Sequence, residues 1–176
     1  MSDLFKADIY ERMRRLDEDV NAQYQGDGRF QIIIVGGGAL VLRGYLTRST
    51  DDIDIINADK RLYSLMVRYD MNGDVDAYMN NFPYNYEDRI ELLFSASKID
   101  YYTASLEDII IAKLCSNRED DLTDIEKLAH NVNWDILEKL ALDEGELKAN
   151  ILSDRSYMDF LASYERFKGR FHLCES

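Results

Sequence analysis

Asp52 and Asp54 flank a single isoleucine in the stretch Thr50-Asp51-Asp52-Ile53-Asp54-Ile55-Ile56, and Gly36, Gly37 and Gly38 follow the β-branched run that ends at Val35. Side chains alternate along an extended strand, so the spacing predicts that both carboxylates leave one face. Two carboxylates in one small space repel unless water, a base or a divalent cation neutralises them. A hard ion such as Mg²⁺ or Mn²⁺ suits that pair, because it takes oxygen ligands and completes its shell with water and substrate phosphates. Glycines lack a Cβ, so the backbone N–H groups of Gly36, Gly37 and Gly38 can approach an anion at the start of a helix. Amides on one side and metal-binding acids on the other describe a phosphate site built for phosphoryl or nucleotidyl transfer. Taken singly, the glycines read as a tight turn and the acids as a solvated strand edge.

Rival motifs fail on spacing. A dinucleotide fingerprint needs a third glycine where Val41 stands, and the crossover to Asp52 is too short for a full βαβ unit. No Lys-Ser/Thr pair follows the glycines, which removes a Walker-type loop. Asp70-Met71-Asn72-Gly73-Asp74 carries its glycine at the wrong place for a calcium loop and reads as a solvated turn.

The elements that must position these groups follow from periodicity. Phe5, Ile9, Met13, Leu16 and Val20 recur at helical spacing, which predicts an amphipathic helix over residues 3 to 24. Phe30 to Val35 and Asp52 to Ile56 read as strands, with two helical turns between them over Ala39 to Tyr45. Helical spacing returns over Lys60 to Asp70, and a short helix is expected over Val75 to Asn81, ended by Pro83. Arg89 to Phe94 and Lys98 to Thr103 suggest an antiparallel hairpin joined by Ser95-Ala96-Ser97, without the usual glycine. Ser105-Leu106-Glu107-Asp108 resembles a capping box for a helix through Leu114. Helices should follow over Asp121 to Asn131 and Trp134 to Leu142. A last helix carries the stripe Tyr157, Phe160, Leu161, Tyr164 and Phe167, suited to a core or a homodimer face.

The totals bound what remains. With 21 basic against 34 acidic residues the formal charge is -13, which repels polyanions and argues against a generic nucleic-acid coat or an anionic-membrane binder. Two cysteines without CxxC or Cys/His spacing fit neither a disulfide framework nor a zinc site. The charged N-terminus carries no signal-like apolar run and no membrane-length apolar segment occurs, so the expectation is a cytoplasmic protein without a membrane partner.

Two blocks carry a resemblance to a family. Val35-Gly36-Gly37-Gly38-Ala39-Leu40 followed by Arg48-Ser49-Thr50-Asp51-Asp52-Ile53-Asp54 resembles the glycine-turn and Arg-x-Thr-x-Asp-x-Asp signature of minimal nucleotidyltransferases of the DNA polymerase β superfamily. Ser105 to Leu114, then Arg118 and Asp121-Leu122-Thr123-Asp124, looks like the downstream segment of the DUF6036 and AbiEii-like, toxin–antitoxin-associated branches. The resemblance spans about Phe30 to Leu128 and implies an α/β (α+β) nucleotidyltransferase fold, a small mixed sheet flanked by helices. On this reading residues 1–176 form one domain, with a sheet core and N-terminal helix over 1–104 and a helical C-terminal part over 105–176. It further implies a nucleoside triphosphate substrate, Mg²⁺ (or Mn²⁺) held by Asp52 and Asp54, phosphate contacts from Gly36, Gly37, Gly38, Arg48 and Thr50, and catalytic roles for Asp52, Asp54, Lys113 and Asp121. The acceptor of the nucleoside monophosphate would be an RNA such as tRNA, a protein or a small molecule, and a cognate toxin or antitoxin would be the partner. Two departures stand out: Gly37 occupies the place where many members carry serine, and only Glu91 or Asp100 offers a third metal carboxylate on a later strand. A chain lacking that third ligand would act by binding nucleotide or a partner protein instead.

Overall fold

The computed structural model describes residues 3–73 and 79–172. The chain divides into two compact units, Met1–Ala77 with Ile90–Ala104, and Tyr78–Arg89 with Ser105–Ser176.

The first unit is built on a five-stranded mixed sheet in the order β3-β2-β1-β5-β4. Its strands are β1 (Phe30–Val35), β2 (Ile53–Ile56), β3 (Met71–Asn72), β4 (Glu91–Ser95) and β5 (Ile99–Thr103). β1 is central because Phe-Gln-Ile-Ile-Ile-Val has apolar, mostly β-branched side chains for both faces, and only Gln31 is exposed. It pairs antiparallel with β2, placing Val35 opposite Asp54, and parallel with β5, placing Ile34 beside Thr103. The expected strand thus starts one residue later, and Asp52 lies in the exposed bend just before it.

Helix α1 (Lys6–Gln23) buries Ile9, Met13, Leu16 and Val20 on one stripe, as the periodicity predicts, and Asp8 Oδ2 accepts the Phe5 N–H at 3.0 Å to hold its start. Asp17, on the same stripe, is buried and accepts the backbone N–H groups of Ser97, Lys98 and Ile99 at 3.0, 2.7 and 3.0 Å. The β4–β5 connection therefore needs no glycine: a carboxylate satisfies its amides from outside, and Ala96 N–H closes the turn on Ile99 O at 2.8 Å. Helix α2 (Gly36–Leu42) begins at the glycines themselves, earlier than the expected Ala39.

Two expectations change. Lys60 to Asp70 is not one helix but a 3-10 turn, the short α3 (Tyr63–Met66) and a second 3-10 turn, ended by Asp70 in the left-handed region at φ 59°. The segment read as a solvated turn after it contains β3, because the alternation Asp70-Met71-Asn72 puts buried Met71 on one face and Asn72 on the other. The helix expected over Val75 to Asn81 falls largely outside the described residues.

The second unit is helical: α4 (Leu106–Ser116), α5 (Glu119–Leu128), α6 (Trp134–Leu142), α7 (Leu147–Asn150) and α8 (Asp154–Phe171). Ser105 caps α4 by accepting Asp108 N–H at 3.1 Å. Phe160, Tyr164 and Phe167 of α8 are buried, so much of the stripe that suited core or dimer face is spent on this unit's core. Arg89 joins the preceding segment to the helices: it forks onto Asp108 with two bonds of 2.9 Å and also reaches Glu146. Burial alone would lower the Arg89 pKa, but the bonds to Asp108 and Glu146 outweigh it and hold the guanidinium above its ordinary value. Among the described residues no helix is long and apolar enough to cross a membrane.

Candidate active site

The register that sets Asp54 opposite Val35 brings its carboxylate against the next residue, Gly36. Gly36 has φ +66°, and a Cβ built on it would lie 3.2 Å from Asp54 Oδ2. Only a residue free of Cβ combines that backbone with that neighbour. At Gly37 a Cβ would meet Arg48 Nη2 at 3.0 Å and Thr50 Oγ1 at 3.5 Å. The guanidinium and hydroxyl therefore occupy the place that a side chain at position 37 would take. Gly38 differs: it is buried, and a Cβ there would make ordinary 3.8 Å contacts with Ile34 and Ile53, so it packs α2 on the sheet.

Thr50 and Arg48 are held by their backbone surroundings. Leu4, itself buried, exchanges both backbone bonds with Thr50, at 2.8 and 3.0 Å. The Thr50 hydroxyl donates to Asp52 O at 3.0 Å, and Arg48 Nη1 donates to Ser49 O at 2.8 Å. Of the sequence-expected residues, Gly36 thus stands against Asp54, Arg48 and Thr50 stand against Gly37, and Thr50 also holds the backbone of Asp52. Leu4 had no chemical signature in the sequence, since its part is a backbone bridge.

Neither strand acid proposed as a third ligand stands beside Asp54. Glu91 pairs with Thr103, which aligns with Ile34, one residue out of step with Val35, so Glu91 belongs to the opposite face. Its carboxylate bonds Arg43 Nη2 at 3.1 Å. Asp100 aligns with Gln31, four residues and about 13 Å along β1 from Val35. It is bound by Arg29 at 2.7 Å, and that bond holds its carboxyl below the usual range. The residue the register does bring to Asp54 is Asn72, whose Nδ2 donates to Asp54 Oδ1 at 3.5 Å. Among the described residues no group of three or more His, Cys, Asp or Glu could hold a metal by itself. An acid facing a bare glycine still fits a hard divalent ion that shares its shell with substrate phosphate.

The helical unit carries the second cluster. Lys113 lies in the apolar run of α4 and is buried, and its Nζ donates to Asp121 Oδ1 at 2.7 Å and to Asp124 Oδ2 at 3.2 Å. Asp121 and Asp124, three residues apart on α5, share the face that meets it. Asp121 Oδ2 also accepts from Ser116 Oγ and, at 2.9 Å, from Arg118 Nε. Burial would raise the Asp121 carboxyl, but the bonds from Lys113, Ser116 and Arg118 outweigh it and leave the value lowered. Of the single residues, Trp134 packs on Phe167 at 5.3 Å and stacks on His172 at 4.6 Å, while His130 is exposed.

No curated protein and no solved structure matches this chain. Residues 11–172, which include the glycine turn, the strand acid and the lysine–aspartate cluster, match the family described as nucleotidyltransferase of unknown function (DUF6036), and to that family the chain belongs.

Proposed function

We propose that the protein is a metal-dependent nucleotidyltransferase that moves a nucleoside monophosphate from a nucleoside triphosphate to an RNA, protein or small-molecule acceptor. The observation that carries this reading is the convergence of Asp54 Oδ2 on Gly36 and of Arg48 Nη2 and Thr50 Oγ1 on Gly37. Acid, cation and hydroxyl then border one glycine turn. Asp52 and Asp54 would hold Mg²⁺, which when bound supplies charge neutralisation and activation of the acceptor hydroxyl. Arg48 and Thr50 bind phosphate oxygens by charge-assisted and neutral hydrogen bonds. A guanidinium in the space of a second-position side chain does the work of the serine hydroxyl that Gly37 lacks. Catalytic roles for Lys113 and Asp121, which the resemblance implies, belong to the same proposal. A toxin–antitoxin setting, with a cognate protein partner, is part of the same proposal.

Incubation with each α-labelled nucleoside triphosphate and Mg²⁺, over total RNA and over protein, tests it. Label should pass to one acceptor class and vanish in Asp54→Ala. The ion pairs that occupy Glu91 and Asp100 favour a second reading, a module that binds nucleotide without transferring it. Mg²⁺-dependent nucleotide affinity without any label transfer would select that one.

A further inference from the structure

Asp54 has two carboxylate oxygens, and the fold treats them differently. Oδ2 is the atom nearest the bare Gly36 position, at 3.2 Å from where its Cβ would be, while Oδ1 receives the amide of Asn72 at 3.5 Å. An ionised carboxylate only accepts, so the Asn72 group that faces it must be the NH₂ end. β2 and β3 run parallel with Asp54 beside Asn72, which puts both side chains on one face of the sheet.

The short strand that carries Asn72 is pinned at both ends. Ahead of it Asp70 turns the chain in the left-handed region, its carbonyl accepts Ile53 N–H at 2.9 Å, and its carboxylate is bonded by Arg12 of α1 at 3.0 Å. Behind it, a Cβ on Gly73 would lie 3.0 Å from the Tyr63 ring, so chain and ring approach as closely as a glycine permits. Met71 is buried between them. A two-residue strand held this firmly does more than end a sheet.

We infer that Asn72 is a positioning residue for Asp54: its amide ties down one carboxylate oxygen, so that the other is aimed at the glycine turn where cation and phosphate meet. This rests on the proposed metal-dependent reading and adds to it a residue that no acid motif marks. With no donor at position 72, Oδ1 loses this anchor and the oxygen facing Gly36 is held less closely.

The test is Mn²⁺ titration of the full chain, read from the electron paramagnetic resonance of free Mn²⁺, with thermal unfolding of each variant alongside. Asn72→Leu keeps the branched shape and removes the donor; it should weaken Mn²⁺ binding about tenfold, the value of one hydrogen bond to a charged group. Its Tm without metal should stay close to that of the unaltered chain. Asn72→Ala removes the donor with less bulk and should weaken Mn²⁺ binding by a similar factor. Equal affinity in Asn72→Leu and the unaltered chain overturns the inference. If Asn72→Leu fails to fold, an Asn72→Ala affinity no different from the unaltered chain overturns it instead. A chain that binds Mn²⁺ in an Asp54-dependent way but ignores both changes at 72 leaves the transferase reading standing. One that binds no Mn²⁺ at all removes both.

Discussion

At the scale of single residues, the three glycines divide by what a methyl group would meet. Gly36→Ala should cost about 1–2 kcal/mol for the left-handed backbone alone and push on Asp54, so both Tm and transfer should fall. Gly38→Ala meets only 3.8 Å neighbours and should leave transfer intact. Lys113→Met removes the cation between two buried carboxylates and should destabilise the chain by about 3–5 kcal/mol in denaturant titration. Asp121 adds a sign that can be checked. Its folded-state value lies below the ordinary 3.8, so its contribution is full above that value and drains as the pH falls through the lower one. The stability gap between the unaltered chain and Asp121→Asn should therefore be constant near neutrality and shrink in acid. The grouping of Gly36 with Asp54 and of Gly37 with Arg48 and Thr50 was legible because these residues are close in sequence and of distinctive type. Asn72 was not, since an amide is silent until a register places it beside an acid.

Among the elements, legibility followed length and self-sufficiency. β1 and α6 have the bounds that their patterns predict, Phe30–Val35 and Trp134–Leu142, because each pattern is long enough to declare its period. β3 has two residues and exists only through its pairing with β2, so no local pattern announces it. The Lys60 to Asp70 stretch shows helical spacing, yet two 3-10 turns around the short α3 satisfy the same spacing as well as one helix does. The hairpin was legible but its turn chemistry was not, because Asp17 supplies it from α1 some eighty residues away. Asp17→Ala strands three amides and should lower stability by about 3 kcal/mol, with hydrogen exchange rising first at Ser97, Lys98 and Ile99.

Over the whole molecule, the sequence suggested one boundary near residue 104, whereas the chain leaves the sheet unit after Ala77, returns for Ile90–Ala104 and leaves again. Residues 78–89 go with the helices because Arg89 finds Asp108 and Glu146 there, a partnership with no periodic trace. A fragment ending at Ala77 keeps β1, β2 and β3 but loses the strand that pairs with β1 on its other side. Such a fragment should lack dispersed amide resonances and sediment as aggregate, while the full chain stays monodisperse. Synthesis imposes the same order on the intact protein. Phe30 emerges early and its partner Ile99 late, so an apolar strand waits with one side open until Thr103 has cleared the ribosome. That interval, more than any moment in the life of the finished molecule, is when a chaperone has most to protect.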